Sequence, residues 1–370
     1  MGMLEQGDFI VNNFSASYFG YGDKVKDVAF SLKEGEVMCL LGAEGSGKTT
    51  LLRALAGLEE CRGQVTLGGK NWLNMPLKER DVCYTFGRDS LEGRKSVAEN
   101  VVKPLVLRHT GEEEIKAALK RAAKLADIED ILAEKVKGLP PYYIAKIILA
   151  RALIRKTNLL LLDEPLSELS FTQRERVFNR MCIAVREAGA RAIYATERPY
   201  EAVCFPDKVG IMCEGRLVQC GSMSGIYKNP IHRAAADAFI RDITCIPATA
   251  VYDGGWGVKM CGKRVVCPAL INKIYDGREV LAAIRREDVS LGGDIKAKVI
   301  GVLDDGKGRF LRLGVSGGII YCNGIADIGQ EVGVTIRQAA FIFDPSSGYV
   351  ISSVSCRNNA NKSRSNLHLN

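Results

Sequence analysis

The feature that most constrains this chain is the segment Gly42-Ala43-Glu44-Gly45-Ser46-Gly47-Lys48-Thr49-Thr50, which fits the pattern Gly-x4-Gly-Lys-Thr. Residues 36–41 before it have the composition of a buried strand, and residues 51–58 after it have helical spacing. In this order the glycines let backbone N–H groups turn toward an anion, and the helix N-terminus adds positive potential. The segment therefore predicts a phosphate-binding loop; the alternative is a plain glycine turn between strand and helix.

A second motif supplies the acids that such a loop needs. Four leucines at 159–162 precede Asp163 and Glu164, the pattern of a buried parallel strand that delivers carboxylates to a phosphate site. We expect Lys48 to reach the β- and γ-phosphates and Thr49 to ligate Mg²⁺. Asp163 would hold the same Mg²⁺ through water, and Glu164 would polarise an attacking water. The motif predicts binding of a nucleotide with Mg²⁺.

Aromatic residues precede the loop. Residues 8–32 alternate in polarity, which predicts short antiparallel strands joined near residues 20–23. Tyr18, Phe19 and Tyr21 are candidates for stacking on a nucleotide base, and spacing favours Phe19. The alternative is that these rings are core or turn residues.

The pattern of elements predicts two domains, as does a length of 370 residues. The first, residues 1–240, is an α/β domain in which helical spacing over 96–137 and 143–156 indicates a helical lobe, about 87–156, inserted in the nucleotide domain. From 241 to 356 short β runs punctuated by glycine predict a small β-barrel domain. The polar, basic residues 357–370 are expected to be disordered.

Composition excludes several classes of protein. Hydrophobic residues make up 47% and charged residues 25%, as in ordinary globular proteins. No apolar run approaches the ~20 residues that span a bilayer, and residues 1–14 lack the build of a secretion signal, so a cytoplasmic location is expected. The 12 cysteines form no Cys-x-x-Cys pair and the three histidines are far apart in sequence, which argues against a metal site made of these residues. The net charge of +8 is scattered, so no nucleic-acid partner is expected.

With these motifs in place, the chain resembles the nucleotide-binding subunits of ABC transporters, most closely the carbohydrate-importer group that includes the maltose transporter ATPase. The resemblance extends over most of the chain and includes the segments LAGLE at 55–59, PLKERDV at 76–82, SVAENV at 96–101, LARAL at 149–153, EGR at 214–216 and AIRRED at 283–288. It implies an ABC-type P-loop domain followed by a TOBE or OB-like barrel, with ATP and Mg²⁺ as ligands and Glu164 as the catalytic residue.

The resemblance also implies partners. In that family two nucleotide-binding subunits form a head-to-tail dimer with ATP at the interface, and grooves of the helical lobe pass the motion to membrane subunits. This chain would then lie at the cytoplasmic face of the membrane, held there by its partners, with a second subunit that is either identical or different.

The chain departs from the family pattern at four places. Counting back from residues 149–153, the family's Leu-Ser-Gly-Gly-Gln signature falls on residues 139–143, which read Leu-Pro-Pro-Tyr-Tyr. Prolines offer neither a hydroxyl nor an N–H group to a γ-phosphate. Gly87 stands where a glutamine is expected, Glu197 where a histidine is expected, and Ser170 where an aspartate is expected.

Two functions remain open from the sequence. One is a transport ATPase subunit that binds MgATP and hydrolyses it slowly, since Glu197 would repel Glu164 and the γ-phosphate by about 1–4 kcal/mol at ~4 Å. The other is a regulatory module that binds ATP without turnover beside an intact ATPase. A third reading, in which the β domain binds a small oxyanion, has no pocket motif to support it.

Overall fold

A computed structural model of this chain describes residues 7–18, 22–77, 79–85, 91–155, 157–203, 206–239, 243–267, 275–304 and 308–351. The chain divides into two compact units, Met1–Gly225 and Ile226–Asn370. Phe19, Gly87 and the predicted tail 357–370 lie outside the described residues.

Within the described residues, the first unit contains ten strands. They are β1 (Phe9–Ser17), β2 (Asp23–Leu32), β3 (Val37–Leu41), β4 (Cys61–Leu67), β5 (Lys70–Asn71), β6 (Val82–Thr85), β7 (Leu159–Asp163), β8 (Arg191–Thr196), β9 (Lys208–Cys213) and β10 (Arg216–Gly221). Its helices are α1 (Lys48–Leu55), α2 (Val97–Val106), α3 (Glu112–Ala126), α4 (Pro141–Leu153), α5 (Phe171–Glu187) and α6 (Pro199–Val203), and α7 (Met223–Lys228) spans the division between the units.

The central sheet has the strand order β10-β9-β3-β8-β7-β6. Its neighbours pair in parallel except for the β9–β10 hairpin. Strands β3 and β8 are buried along their whole length, as expected of apolar strands covered on both faces. The strands predicted at 36–41, 159–162 and 191–196 are confirmed to within one residue. The carboxyl ends of β3, β7 and β8 therefore lie at one edge of the sheet.

A four-stranded antiparallel sheet, β2-β1-β4-β5, packs on the helix that leaves the glycine loop. Phe9 of β1, Leu51 of α1 and Leu40 of β3 belong to one buried cluster. Trp72, fully buried, donates its Nε1 hydrogen to the Leu55 carbonyl at 3.1 Å. These contacts fix α1, and with it the loop, between the two sheets.

The predicted helical lobe contains α2, α3 and α4. A capping box between Ser96 and Glu99 starts α2. The helical region predicted over 96–137 is too long at its end, because Asp127 adopts a left-handed conformation (φ 57°) and ends α3. Helix α4 begins at Pro141, earlier than the predicted 143, since proline is well accommodated in the first turn. Among the described residues, none of the helices has the length and hydropathy needed to cross a membrane.

The second unit is mostly β structure. Its elements are α8 (Arg233–Phe239), β11 (Ile243–Tyr252), β12 (Trp256–Met260), β13 (Lys263–Val266), β14 (Glu279–Arg285), β15 (Val289–Asp304), β16 (Arg309–Val315), β17 (Gly318–Asn323), β18 (Glu331–Ile336) and β19 (Phe341–Phe343). They pair as a five-stranded sheet, β13-β12-β11-β14-β19, and a four-stranded sheet, β17-β16-β15-β18. Ile246 of the first sheet and Leu311 of the second share one core.

Helix α8 belongs with this second unit. Ala236 of α8 packs in a buried cluster with Ile243, Ala283 and Phe343. The boundary predicted from the sequence at residue 240 assigns this helix to the first domain, because a short alanine-rich segment does not indicate which sheet it packs against.

Candidate functional site

The loop between β3 and α1 is curled by two glycines. Gly45 (φ 75°) and Gly47 (φ 101°) lie in the left-handed region, which residues with a Cβ rarely adopt. The Ser46 N–H donates to the Ala43 carbonyl at 3.1 Å and closes a turn within the loop. The first helical residue is Lys48, so the loop ends at the positive end of α1. This is the arrangement by which backbone N–H groups bind anions.

The Lys48 side chain folds back over the loop and is buried, with 5% of its surface exposed. Its Nζ donates to the carbonyls of Gly42 at 2.7 Å and Ala43 at 2.9 Å. The same Nζ lies 3.6 Å from Oε1 of Glu197, which follows β8. The ammonium group is thus held at the loop and partly neutralised by a carboxylate.

Asp163 and Glu164 stand at the end of β7. Glu164 has a left-handed backbone (φ 46°), which costs a residue other than glycine about 1–3 kcal/mol. Its N–H donates to the Ala195 carbonyl of β8 at 3.2 Å, which fixes the turn. Burial raises the pKa of Glu164, the Glu197 carboxylate raises it further, and Lys48 opposes the rise. Glu164 therefore holds a proton more tightly than an exposed glutamate does.

These residues surround one open cavity of about 700 Å³. Its lining consists of Tyr18, Lys24, Glu44, Gly45, Gly47, Lys48, Thr49, Thr50, Asp163, Glu164 and Glu197. The remaining residues of the predicted loop take part in hydrogen bonds within the loop. The carbonyls of Gly42 and Ala43 accept from Lys48, and the Ser46 N–H donates to Ala43. The structure thus brings together every predicted site residue that it describes. Phe19, which follows Tyr18 in the sequence, is outside the described residues.

The donors of this cavity fit a polyphosphate that carries Mg²⁺. Ser46 Oγ is buried and has no hydrogen-bond partner among the described residues, so a donor is left over inside the loop. A Cβ placed on Gly45 would meet no atom within 4 Å, so the space above the loop is open. Among the described residues, four carboxylates and two ammonium groups line the cavity, so a polyphosphate would enter against net negative charge without a divalent cation.

A tyrosine contacts one of these carboxylates. Tyr84, on β6, donates its hydroxyl hydrogen to Oδ2 of Asp163 at 2.9 Å. Burial and the Asp163 charge raise the pKa of Tyr84 well above its ordinary value, and Arg53 opposes the rise. The shift favours the protonated phenol, which is the form that donates to Asp163.

Three departures from the family pattern are described by the structure. Glu197 pairs with Lys48, as given above. Ser170 precedes α5, and its hydroxyl and N–H contact Gln173 Oε1 at 3.1 and 3.3 Å, so its side chain serves the start of its own helix. The two prolines of the signature segment lie at the start of α4, where Pro141 is the first helical residue.

The tyrosines of that segment surround a buried lysine. Lys146 Nζ lies 4.7 Å from the ring centroid of Tyr142 and 5.9 Å from that of Tyr143. It also bonds the Asp127 carboxylate at 2.5 Å and the Asp127 carbonyl at 2.9 Å. Aromatic and charged contacts thus occupy this helix start, where the family pattern has small residues.

The sequence analysis did not predict a buried ion pair that lies behind the end of β7. Arg174 Nη1 lies 3.1 Å from Glu201 Oε1, and both side chains are at most 6% exposed. Tyr194 of β8 donates to Glu201 Oε2 at 2.8 Å. Arg174 Nε donates to the Leu166 carbonyl at 3.0 Å and Nη2 donates to that of Leu169 at 2.5 Å. The network holds the backbone that follows Glu164 against α5, β8 and α6.

The sequence did carry a signal for this pair. Arg174 lies on the apolar face of α5 with Val177, Phe178 and Met181, and all four side chains are buried. A charged residue on an apolar helix face is almost never buried unless it is paired, so the position predicts a partner. The sequence does not say which acid supplies it.

The central sheet is mostly parallel, its strand β3 leads into the glycine loop, and β7 brings two acids to the same edge. These features define a nucleotide-binding domain with a phosphate-binding loop. The model of the family described as "ABC transporter" matches residues 25–167. A trehalose/maltose import ATP-binding protein of Thermococcus litoralis is 32% identical over 285 residues, which cover 73% of this chain and 76% of that protein. The chain belongs to the ABC transporter family and carries its ATP-binding domain.

Other relatives are named for different cargoes. An Fe(3+) ions import ATP-binding protein of Escherichia coli K12 is 31% identical over 250 residues, 66% of this chain and 71% of that protein. A spermidine/putrescine import ATP-binding protein of Fusobacterium nucleatum is 33% identical over 240 residues, 65% of this chain but only 62% of that protein. A solved structure, cbiO1 of Clostridium perfringens, part of an ABC transporter complex, aligns with a TM-score of 0.55 over 63% of this chain and 92% of its own, at 23% identity. That last likeness concerns the fold alone.

Proposed function

We propose that this chain is the ATP-binding subunit of an ABC importer and that it couples ATP-driven dimer closure to transport. The observation that carries the proposal is the convergence of Lys48, Thr49, Asp163 and Glu164 on one cavity. The import proteins to which the chain is similar support the direction of transport.

In this proposal the loop residues 42–50 bind the β- and γ-phosphates, with Lys48 as the cationic contact. Thr49 and Asp163 hold Mg²⁺, which when bound neutralises charge on the phosphates. Glu164 polarises the attacking water. Phe19 would stack on the base; its neighbour in sequence, Tyr18, lines the cavity.

We further propose that hydrolysis is slow. Glu197 adds negative charge beside Lys48 and Glu164, where the γ-phosphate would develop charge in the transition state. The proline-containing segment 139–143 would supply no hydroxyl to ATP held by a second subunit.

The proposed partners are a second nucleotide-binding subunit and membrane subunits. A cavity of about 450 Å³ between the end of α2, the start of α3 and the entry to β6 is lined by Leu105, Arg108, Arg121 and Arg155 among others. We propose this groove of the helical lobe as the contact with a membrane subunit, which would hold the chain at the cytoplasmic face of the membrane. We also propose that the β unit is the TOBE-type barrel of this importer group, with a regulatory role.

The proposed cargo is a carbohydrate or a related solute, because the sequence segments given above resemble that importer group and a trehalose/maltose import protein is 32% identical to this chain. Iron and polyamine relatives are of similar identity, so the cargo is tested directly. Uptake of a labelled disaccharide, spermidine and Fe³⁺ is measured in vesicles that carry the chain with its membrane subunits. Uptake of the disaccharide alone supports the proposal, and uptake of either other solute contradicts it.

The second candidate is a non-catalytic partner that binds ATP in a heterodimer with an intact ATPase. The segment 139–143 favours it, because two prolines and two tyrosines at the start of α4 leave little of the signature's chemistry.

Nucleotide binding and steady-state ATP hydrolysis separate the two candidates. Both are measured on the purified chain, alone and with a co-encoded nucleotide-binding subunit, against Lys48→Ala and Glu164→Gln. The importer subunit predicts tight binding lost in Lys48→Ala and slow turnover lost in Glu164→Gln. Tight binding with no turnover in either preparation supports the regulatory partner, and fast turnover refutes slow hydrolysis.

A further inference from the structure

The hydrogen bond between Tyr84 and Asp163 follows from the register of two parallel strands. Tyr84 of β6 pairs with Leu161 of β7. Asp163 lies two residues beyond Leu161, so its side chain points to the same face of the sheet, about 6.6 Å further along the strand. A tyrosine ring that leans along the strand bridges this distance, and its hydroxyl meets Oδ2 at 2.9 Å. Phenylalanine or methionine at this position would fill the space without the bond.

The tyrosine also packs against the buried cluster that contains Leu51, Leu52 and Leu55 of α1. Arg53 of the same helix opposes the rise in the pKa of Tyr84. Its guanidinium lies 5.9 Å from the Tyr18 ring centroid and donates to Glu59 Oε1 at 2.7 Å. Tyr84 therefore joins the core packing of the helix that begins at Lys48 to the carboxylate at the end of β7.

We propose that Tyr84 is a positioning residue for Mg²⁺ binding: its hydroxyl fixes Oδ2 of Asp163, so that this carboxylate would meet the cation in one orientation. A carboxylate on a short side chain rotates about its terminal torsion within a broad range. One charge-assisted hydrogen bond removes that rotational freedom before the metal binds. Metal binding then does not carry the entropic cost of ordering the carboxylate. This inference rests on the proposed function, in which Asp163 holds Mg²⁺.

The test measures binding, not turnover. A fluorescent trinitrophenyl-ATP is titrated against the full-length chain in EDTA and then at increasing MgCl₂, for wild type, Tyr84→Phe, Asp163→Asn and the double variant. We expect Tyr84→Phe to bind the probe as wild type in EDTA, while the Mg²⁺ concentration of half-maximal effect rises about five- to tenfold. In the Asp163→Asn background the same substitution should change that concentration by less than about twofold, because its effect passes through Asp163.

The outcomes that overturn the inference are distinct from failure of the proposed function. A shifted Mg²⁺ midpoint in Asp163→Asn with an unshifted one in Tyr84→Phe refutes the positioning role alone. Equal weakening of Tyr84→Phe in EDTA and in Mg²⁺ refutes it too, because that result means a general packing role. An unshifted midpoint in Asp163→Asn refutes the metal role of Asp163 and with it the positioning role, whereas binding of the probe would still support the proposed ATP-binding function.

Discussion

Glu197 Oε1 lies 3.6 Å from Lys48 Nζ, so a carboxylate from the end of β8 pairs with the lysine of the phosphate-binding loop. The Glu197 side chain is 41% exposed, whereas Lys48 is buried. The two residues are far apart in sequence, and they meet because β3 and β8 are adjacent parallel strands that end at one edge of the sheet. A nucleotide must compete with this carboxylate for the lysine.

Glu197→Gln should therefore tighten nucleotide binding. It removes the competing charge and keeps the side-chain volume, and at this exposure a charge pair at ~4 Å is worth about 1 kcal/mol, or about fivefold in Kd. The measurement is titration of MgATP by isothermal calorimetry. Glu44→Gln, which removes another carboxylate from the cavity lining, is the comparison. An equal gain from Glu44→Gln would mean that general charge, not the pair with Lys48, opposes binding.

The pH profile of hydrolysis should have its acid limb above the ordinary range of a glutamate, because Glu164 must be ionised to polarise water and burial and Glu197 raise its pKa. Glu197→Gln removes one of these causes, so the acid limb should move to lower pH. The measurement is kcat/KM against pH at saturating Mg²⁺. An acid limb that stays in place in Glu197→Gln would assign it to another group.

The same carboxyl should affect stability with a definite sign. Its pKa is raised in the folded chain, so the folded state binds more protons between the ordinary and the raised value. The stabilising contribution is full below the unfolded pKa and is lost as pH rises through the folded pKa. The unfolding midpoint of nucleotide-free Glu164→Gln relative to wild type should therefore rise with pH across this window. A difference that does not change with pH contradicts the assignment.

Arg174→Ala should lower the free energy of unfolding by about 3–5 kcal/mol, because it leaves Glu201 buried without its charge partner. Urea denaturation measures the loss. Arg186→Ala, on the same helix, is the control: Arg186 pairs with Asp207 at the surface, with 44% and 30% of the two side chains exposed, so the cost should stay below about 1 kcal/mol. Similar losses for both arginines would refute the role given to burial.

Gly47→Ala should destabilise the nucleotide-free chain by more than about 1 kcal/mol, because it forces a Cβ into the left-handed region. That Cβ would also lie 3.3 Å from Gly215 Cα and the Lys24 carbonyl. Gly45→Ala meets the strain without the contacts and should cost less. Gly221→Ala, where a Cβ meets no atom within 4 Å, should stay within about 0.5 kcal/mol, as urea midpoints would show. The loss of stability should be largest for Gly47→Ala, smaller for Gly45→Ala and smallest for Gly221→Ala, and any other order would contradict this account.

Features that depend on neighbouring residues could be predicted from the sequence. The glycine loop with its flanking strand and helix, and the leucine run that ends in Asp163, are contiguous, and their periods set their conformation. The strand predicted at 191–196 is β8, because a buried apolar strand needs no distant contact to be recognised. Helix ends do not follow from the periodicity, since a single left-handed residue, Asp127, ends α3 where the helical spacing continues.

The sequence by itself determined the class of site: a lysine at a helix start, an acid at a strand end and glycines where only they fit. Only the tertiary structure decided which side chains contact one another there. The pairs Glu197 with Lys48, Tyr84 with Asp163, and Glu201 with Arg174 join residues from different elements. Strand order and register bring them together, and no local pattern encodes that register, because it results from the packing of the whole sheet.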